Sequence, residues 1–214
     1  MLTQKTTERI PTGLECEELM ARYRMLPNII EHSRQVMRVA MAITDSLHQD
    51  VDINRDLVMA AALLHDITKT RSLKTKEKHA ASGGILLREL GFPSIAEIVE
   101  QHVIMDRLHP EGKIEEKEIV FYADKRVMHS AIVSLDERVE DLIKRYGTTQ
   151  EIRDQIMRNK EQAIWVEKKI ERLMRVDMHT ALQHLHRDDL FCADRSAGID
   201  DTEILRPAAQ KTAP

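Results

Sequence analysis

The chain has 214 residues, 42% of them hydrophobic and 32% charged, with a net charge of −4. That length fits one domain, or one with an appendage, and supports a self-sufficient core; the acidic balance argues against a dedicated nucleic-acid binder, which needs a basic face, but leaves room for a small anionic ligand at a local positive site. Cys16 and Cys192 make neither a disulfide framework nor zinc-ribbon spacing, no run approaches the ~18 apolar residues of a membrane helix, and the first turns carry Glu8, Glu15, Glu17 and Glu18 instead of a signal-peptide core, so the expected address is the cytoplasm.

Glycine, proline and aromatic residues are sparse, and Ala, Leu, Met, Glu, Lys, Arg and Ile dominate. These residues favour helices over strands, so the expected fold is all-α. Residues 1–13 read as a polar lead-in and 14–25 as a short helix. Pro27 fits the first turn of a new helix, whose inward stripe runs Ile29, His32, Val36, Val39, Ile43 and Leu47. Asn54 is a plausible N-cap for a helix carrying Leu57, Val58, Ala61, Leu64 and His65. A Lys- and Thr-rich loop is expected over 67–76, a helix over 77–90 closed by Gly91, and another opened by Pro93 with Ile95, Ile98, Val99 and His102 on one face. Residues 105–114 read as a loop with Pro110 and Gly112, and 115–128 as a helix. Ser134 and Glu137 have capping-box spacing, which predicts a helix over 135–146. From Thr148 or Thr149 to about 175, apolar residues step by three or four through Ile152, Ile156, Ala163, Val166, Ile170 and Leu173, with Asn159 filling one slot. Such a helix packs on its own domain or pairs with a second copy, as in a homodimer. A mobile tail is expected from about 193.

Ionisable groups on apolar faces need an explanation, because burying them alone costs several kcal/mol. His65-Asp66 closes the run AALLHD, at a helix end where both side chains can turn to one point. Asp124, in VFYADKRV, is flanked at helical spacing by Val120, Phe121, Val127 and Met128; a buried pair with Arg126 or Arg38 is the plainer reading. His32 and His102 sit inside apolar stripes. A lone histidine there is more often a satisfied core residue, but several helices turning imidazoles and carboxylates inward suit a divalent metal such as Fe, Mn, Co, Ni or Zn. His79 opens KHAASGGILLRELG, where Gly83 and Gly84 allow a second element to approach closely. His179, His184 and His186 have no sharp ligand spacing.

The order His32, His65-Asp66, Asp124, set in EHSRQVMRVA, AALLHDITK and VFYADK, resembles the H…HD…D signature of the HD-domain metal-dependent phosphohydrolases, over roughly residues 26–146. The resemblance implies an HD-domain helical bundle, with 1–25 as a lead-in, 147–192 as a helical extension and 193–214 as a tail. His79 and His102 stand where the bimetallic branch has its extra histidines. Their presence implies two divalent ions, one held by His32, His65, Asp66 and Asp124 and the other by His79 and His102 with Asp66 as the bridge. Metals in this arrangement trap a hydroxide that attacks phosphorus. Lys69 completes an HDxxK pattern, so Asp66 and Lys69 are the implied catalytic residues and Lys69 an implied substrate contact; Arg107 and His109, in a loop after a ligand position, are further candidate substrate contacts, and Lys125 either plays a part similar to that of Lys69 or pairs with an acid on the surface. The implied substrate is a small phosphorylated molecule, a nucleotide above all. Some HD-like domains are instead non-catalytic binding modules in signalling, which is the alternative reading.

Overall fold

Capping chemistry sets most helix starts. The computed structural model describes residues 8–106, 108–109 and 111–185. In it Thr12 and Glu15 exchange bonds in a capping box that opens α1 (Gly13–Arg22). Pro27 occupies the first turn of α2 (Pro27–Ser46), where its missing N–H would have had no partner anyway. The Asn54 side chain accepts the Leu57 amide and starts α3 (Arg55–Leu64). The chain continues through α4 (Lys69–Thr75), α5 (His79–Glu89), α6 (Pro93–Gln101) and α7 (Glu116–Lys125). A hairpin of β1 (Val127–Met128) and β2 (Ala131–Ile132) follows, then α8 (Leu135–Tyr146), α9 (Gln150–Glu171) and α10 (Met178–Leu182). The fold is all-α as expected, and no described helix is long and apolar enough to cross a membrane.

Two helices form the centre. α3 buries Val58 and every residue from Ala60 to Leu64, and α7 buries every residue from Glu118 to Lys125. A helix covered all round must lie inside. α2 and α6 each pack on both of these, and α1 packs on α3. α5 lies along α6, and glycine permits the approach: a β-carbon at Gly83 would stand 3.0 Å from Val99 Cγ1. Ligand-type side chains thus converge from α2, the end of α3, the start of α5, the end of α6 and α7.

The long C-terminal helix packs on its own chain. α9 lies on α8 and α7 and buries Ile156, Ala163, Val166 and Ile170. Tyr122 of α7 donates its hydroxyl to Glu167 at 2.5 Å, and Lys169 reaches both carboxylate oxygens of Glu118 at 2.8 Å. Beyond α9 the backbone is stitched to the end of α2: the His48 amide donates to the Leu173 carbonyl at 2.9 Å and the Arg175 amide to the Ser46 carbonyl at 2.8 Å.

The structure corrects two expected elements. The expected loop 67–76 contains α4, which buries no residue and closes at Lys76 in the left-handed region, φ 61°. With no apolar face it has no periodic signal to read. The helix expected over 115–128 stops at Lys125 and gives way to the hairpin, with Val127 opposite Ile132 and a two-residue turn at His129-Ser130. His-Ser is not a recognisable hairpin pair, and the left-handed residue is His129, φ 56°. The start of the lead-in (1–7), Arg107, His186, Cys192 and the expected tail lie outside the described residues.

The buried Glu118–Lys169 pair joins α7 to α9. Removing one partner strands a charge in the core, so Lys169→Met is expected to cost about 3–5 kcal/mol in urea unfolding. The double variant Glu118→Gln, Lys169→Met should recover part of that loss, and no recovery would contradict the pairing.

Candidate metal centre

α3 ends where its helix would otherwise carry His65 and Asp66 on different faces. His65 stays in helical backbone as the C-cap, and the chain turns after it, so both side chains reach one point. His65 and Asp66 are 0% and 1% exposed. His32 from α2, His102 after α6 and Asp124 of α7 are buried around them, and His79, the first residue of α5, is the most open member, its side chain 25% exposed.

The two oxygens of Asp66 face different histidines. Oδ2 lies 3.4 Å from His65 Nε2 and 4.0 Å from His32 Nε2, while Oδ1 lies 3.3 Å from His79 Nε2 and 3.5 Å from His102 Nε2. Asp124 Oδ1 lies 3.0 Å from His32 Nε2 and 3.7 Å from His65 Nε2. Six side chains from five separate places in the sequence therefore form two groups sharing one carboxylate. All six residues expected as metal ligands stand together.

Backbone carbonyls orient three of the rings. A carbonyl only accepts, so Nδ1 of His65 donates to Ala62 at 2.7 Å, Nδ1 of His102 to Val99 at 2.6 Å and Nδ1 of His32 to His129 at 2.9 Å. A neutral imidazole so latched carries its lone pair on Nε2, the atom turned toward the carboxylates. Burial holds His79 down to about 4, against the pull of Asp66, and also lowers His102. His79 Nε2 and His102 Nε2 lie 3.2 Å apart, and with the His102 Nδ1 proton on the Val99 carbonyl a neutral His79 can donate across that gap in the metal-free chain. His65 Nε2 and Asp66 Oδ1 are buried with no hydrogen-bond partner. Unpartnered buried atoms of this kind, in a set of imidazole and carboxylate, fit divalent cations.

Two lysines flank the carboxylates. Lys69 Nζ bonds Asp66 Oδ2 at 2.7 Å; burial opposes its charge, but Asp66 and Asp124 outweigh burial and raise its pKa. Lys125 corrects the sequence reading. It is buried, with Nζ 2.7 Å from both Asp124 Oδ2 and the His102 carbonyl and 4.5 Å above the Phe121 ring, so it is a strut inside the centre and has no free face for a phosphate. Both carboxyls are held well below the usual range: burial works against ionisation, and Lys69 and His65 beside Asp66, and Lys125 and His32 beside Asp124, override it. Arg126, the plainer partner for Asp124, turns instead to the Tyr122 hydroxyl and the Val133 carbonyl. His109 is not brought into the cluster; it lines a surface cavity with Glu111, Gly112 and Trp165. His179 and His184 are exposed. The sequence reading missed the latching carbonyls, which leave no side-chain signal, and the inward turn of Lys125, whose apolar neighbours Phe121 and Val120 were its only clue.

A helical core that turns four imidazoles and two carboxylates onto one point forms a buried cluster of the kind that could hold divalent metal. Residues 29–128 match the HD domain family, and this segment is an HD domain. The chain is similar to a tRNA (cytidine(56)-2'-O)-methyltransferase of Thermoplasma volcanium, 33% identical over 100 residues that cover 46% of this chain and 28% of that protein. A second protein of that name, from Picrophilus torridus, is 30% identical over 150 residues, 64% of this chain and 42% of its own. A dihydroneopterin 2',3'-cyclic phosphate phosphodiesterase of Methanocaldococcus jannaschii is 36% identical over 74 residues, 32% of this chain and 30% of that one. The chain thus spans less than half the length of each of these relatives. No solved structure matches it significantly.

The depressed His79 sets a sign for stability. Between pH 6.5 and about 4 the unfolded chain protonates this imidazole and the folded metal-free chain does not, so its contribution is lost as pH falls through that window. The shift from 6.5 to about 4 corresponds to roughly 3 kcal/mol at the acid end. Metal-free His79→Asn should therefore lose less stability than the parent when urea unfolding at pH 6.5 and pH 4 is compared. Equal losses would count against the burial of this imidazole.

Proposed function

We propose that this chain is a divalent-metal-dependent phosphohydrolase acting on a phosphate ester or anhydride of a small molecule, with a nucleotide as the substrate class. The observation that carries the reading is Asp66, whose two buried oxygens each face a pair of imidazole Nε2 atoms. His32, His65, Asp66 and Asp124 would hold one ion, and Asp66, His79 and His102 a second. Ions so held supply Lewis acidity toward a phosphoryl oxygen and lower the pKa of water.

Charge balance supports an anionic substrate. Lys69 and Lys125 already offset the charges of Asp66 and Asp124. Each divalent ion then adds positive charge that the protein leaves uncompensated, and a phosphate group offsets it. Asp66 orients both groups at once, so its loss disables both. Lys69 keeps its side chain one-third exposed while spending one N–H on Asp66, and its remaining donors are free for a non-bridging phosphate oxygen. The latched imidazoles present Nε2 to the centre without rearrangement. A phosphodiesterase among the relatives is consistent with this chemistry.

The test is metal analysis of anaerobically prepared protein, with a panel of phosphomonoesters, phosphodiesters, cyclic phosphates and nucleotides assayed with Mn, Fe, Co and Mg separately. We expect about two metal equivalents and chelator-sensitive turnover, with both abolished in Asp66→Ala. Lys69→Gln should keep the metal and raise KM about tenfold, the scale of one charge-assisted hydrogen bond. Retained turnover in Asp66→Ala excludes the mechanism. A parent that takes up no metal and hydrolyses nothing is a binding module instead.

A further inference from the structure

α9 lies outside the segment that matches the HD domain, yet its inner face carries donors aimed at the backbone that follows His102. Asn159 Nδ2 donates to the Val103 carbonyl at 3.0 Å, Gln162 Nε2 to the Met105 carbonyl at 2.9 Å and Lys169 Nζ to the His109 carbonyl at 3.0 Å. Positions 159, 162, 166 and 169 are separated by three or four residues and share one side of the helix, with Val166 fully buried among them. Asn159 is the polar residue in an otherwise apolar stripe, and its acceptor accounts for it. The donors are themselves held: Gln155 Nε2 donates to Asn159 Oδ1 at 2.9 Å, which turns the Asn159 amide nitrogen toward Val103, and Glu118 fixes Lys169.

Backbone carbonyls outside regular structure need partners, and here a separate helix provides them. The first of these acceptors is one residue beyond His102. That histidine is held at its ring by the Val99 carbonyl and at its own carbonyl by Lys125. Among the described residues, the downstream backbone has no such latch except α9.

We propose that α9 is a positioning element of the metal centre, in which Asn159 and Gln162 hold the chain leaving His102 and so set the Asp66–His79–His102 group in particular. The inference rests on the reading of the site as a metal centre and deepens it: the backbone leaving the Asp66–His79–His102 group is held by these two α9 donors, and the group built on His32, His65 and Asp124 receives neither.

The test titrates Mn²⁺ into the metal-free full chain by calorimetry, for the parent, Asn159→Ala/Gln162→Ala, His79→Asn, and Glu161→Ala on the exposed face of α9 as control. His79→Asn identifies which binding class belongs to the His79–His102 group. The double variant is expected to weaken that class about tenfold, the usual scale for loss of an outer hydrogen bond to a metal site, and to leave the other class within about twofold. Amide hydrogen exchange across 103–105 should quicken while that of 119–124 stays unchanged. Each single variant should weaken the same class by a smaller factor, which keeps the test decisive if the double variant fails to fold. Unchanged binding in both classes, or equal weakening of both, overturns the proposal whatever the exchange shows. A parent that takes up no Mn²⁺ overturns the metal-centre reading itself, an outcome distinct from selective failure of the α9 variants.

Discussion

A carboxylate with almost no exposure, at the end of a sealed helix, is the constraint around which this molecule is arranged. Asp66 has two oxygens in a core where an uncompensated ion is penalised by several kcal/mol. Everything that meets it bears on that penalty. Lys69 takes one oxygen, and four imidazoles present nitrogen atoms to the pair. The oxygen facing His79 and His102 still has no hydrogen bond, and a carboxylate held ionised with an open coordination direction suits a cation.

The backbone contributes as much to this centre as the side chains. Carbonyls of Ala62, Val99 and His129 accept Nδ1–H and turn Nε2 of His65, His102 and His32 toward the carboxylates. Two of these carbonyls lie three residues upstream on the same helix, where the last turn leaves them short of partners. The third comes from a two-residue hairpin turn whose histidine adopts a left-handed backbone. Helix ends and a hairpin thus set the ring orientations, and the HD segment needs its irregular pieces as much as its helices.

Beyond that segment, the chain closes around the same core. α9 ties to α7 through the Glu118–Lys169 pair and the Tyr122–Glu167 bond, and the strand-like run after it joins the end of α2. Lys125 links Asp124 to the His102 carbonyl, joining one group of ligands to the backbone of the other. Apolar packing positions these helices, and a few buried polar contacts fix their register.

Much of the centre was legible in the sequence, because a polar residue in an apolar stripe is costly wherever the helix packs. His32 among Ile29, Val36 and Val39, and Asp124 behind Val120 and Phe121, announced inward-facing groups by periodicity alone, and the helical class followed from composition. Periodicity is a local property and is silent where no apolar face exists, which is why α4 and the His129-Ser130 turn were not seen. Which atoms meet is decided elsewhere. The division of Asp66 between two pairs of histidines, the inward strut made by Lys125, the absence of His109 from the cluster and the donors of α9 all depend on distances between segments up to about a hundred residues apart. Sequence spacing carries the direction a side chain leaves its helix, and only the packed chain sets what stands opposite it.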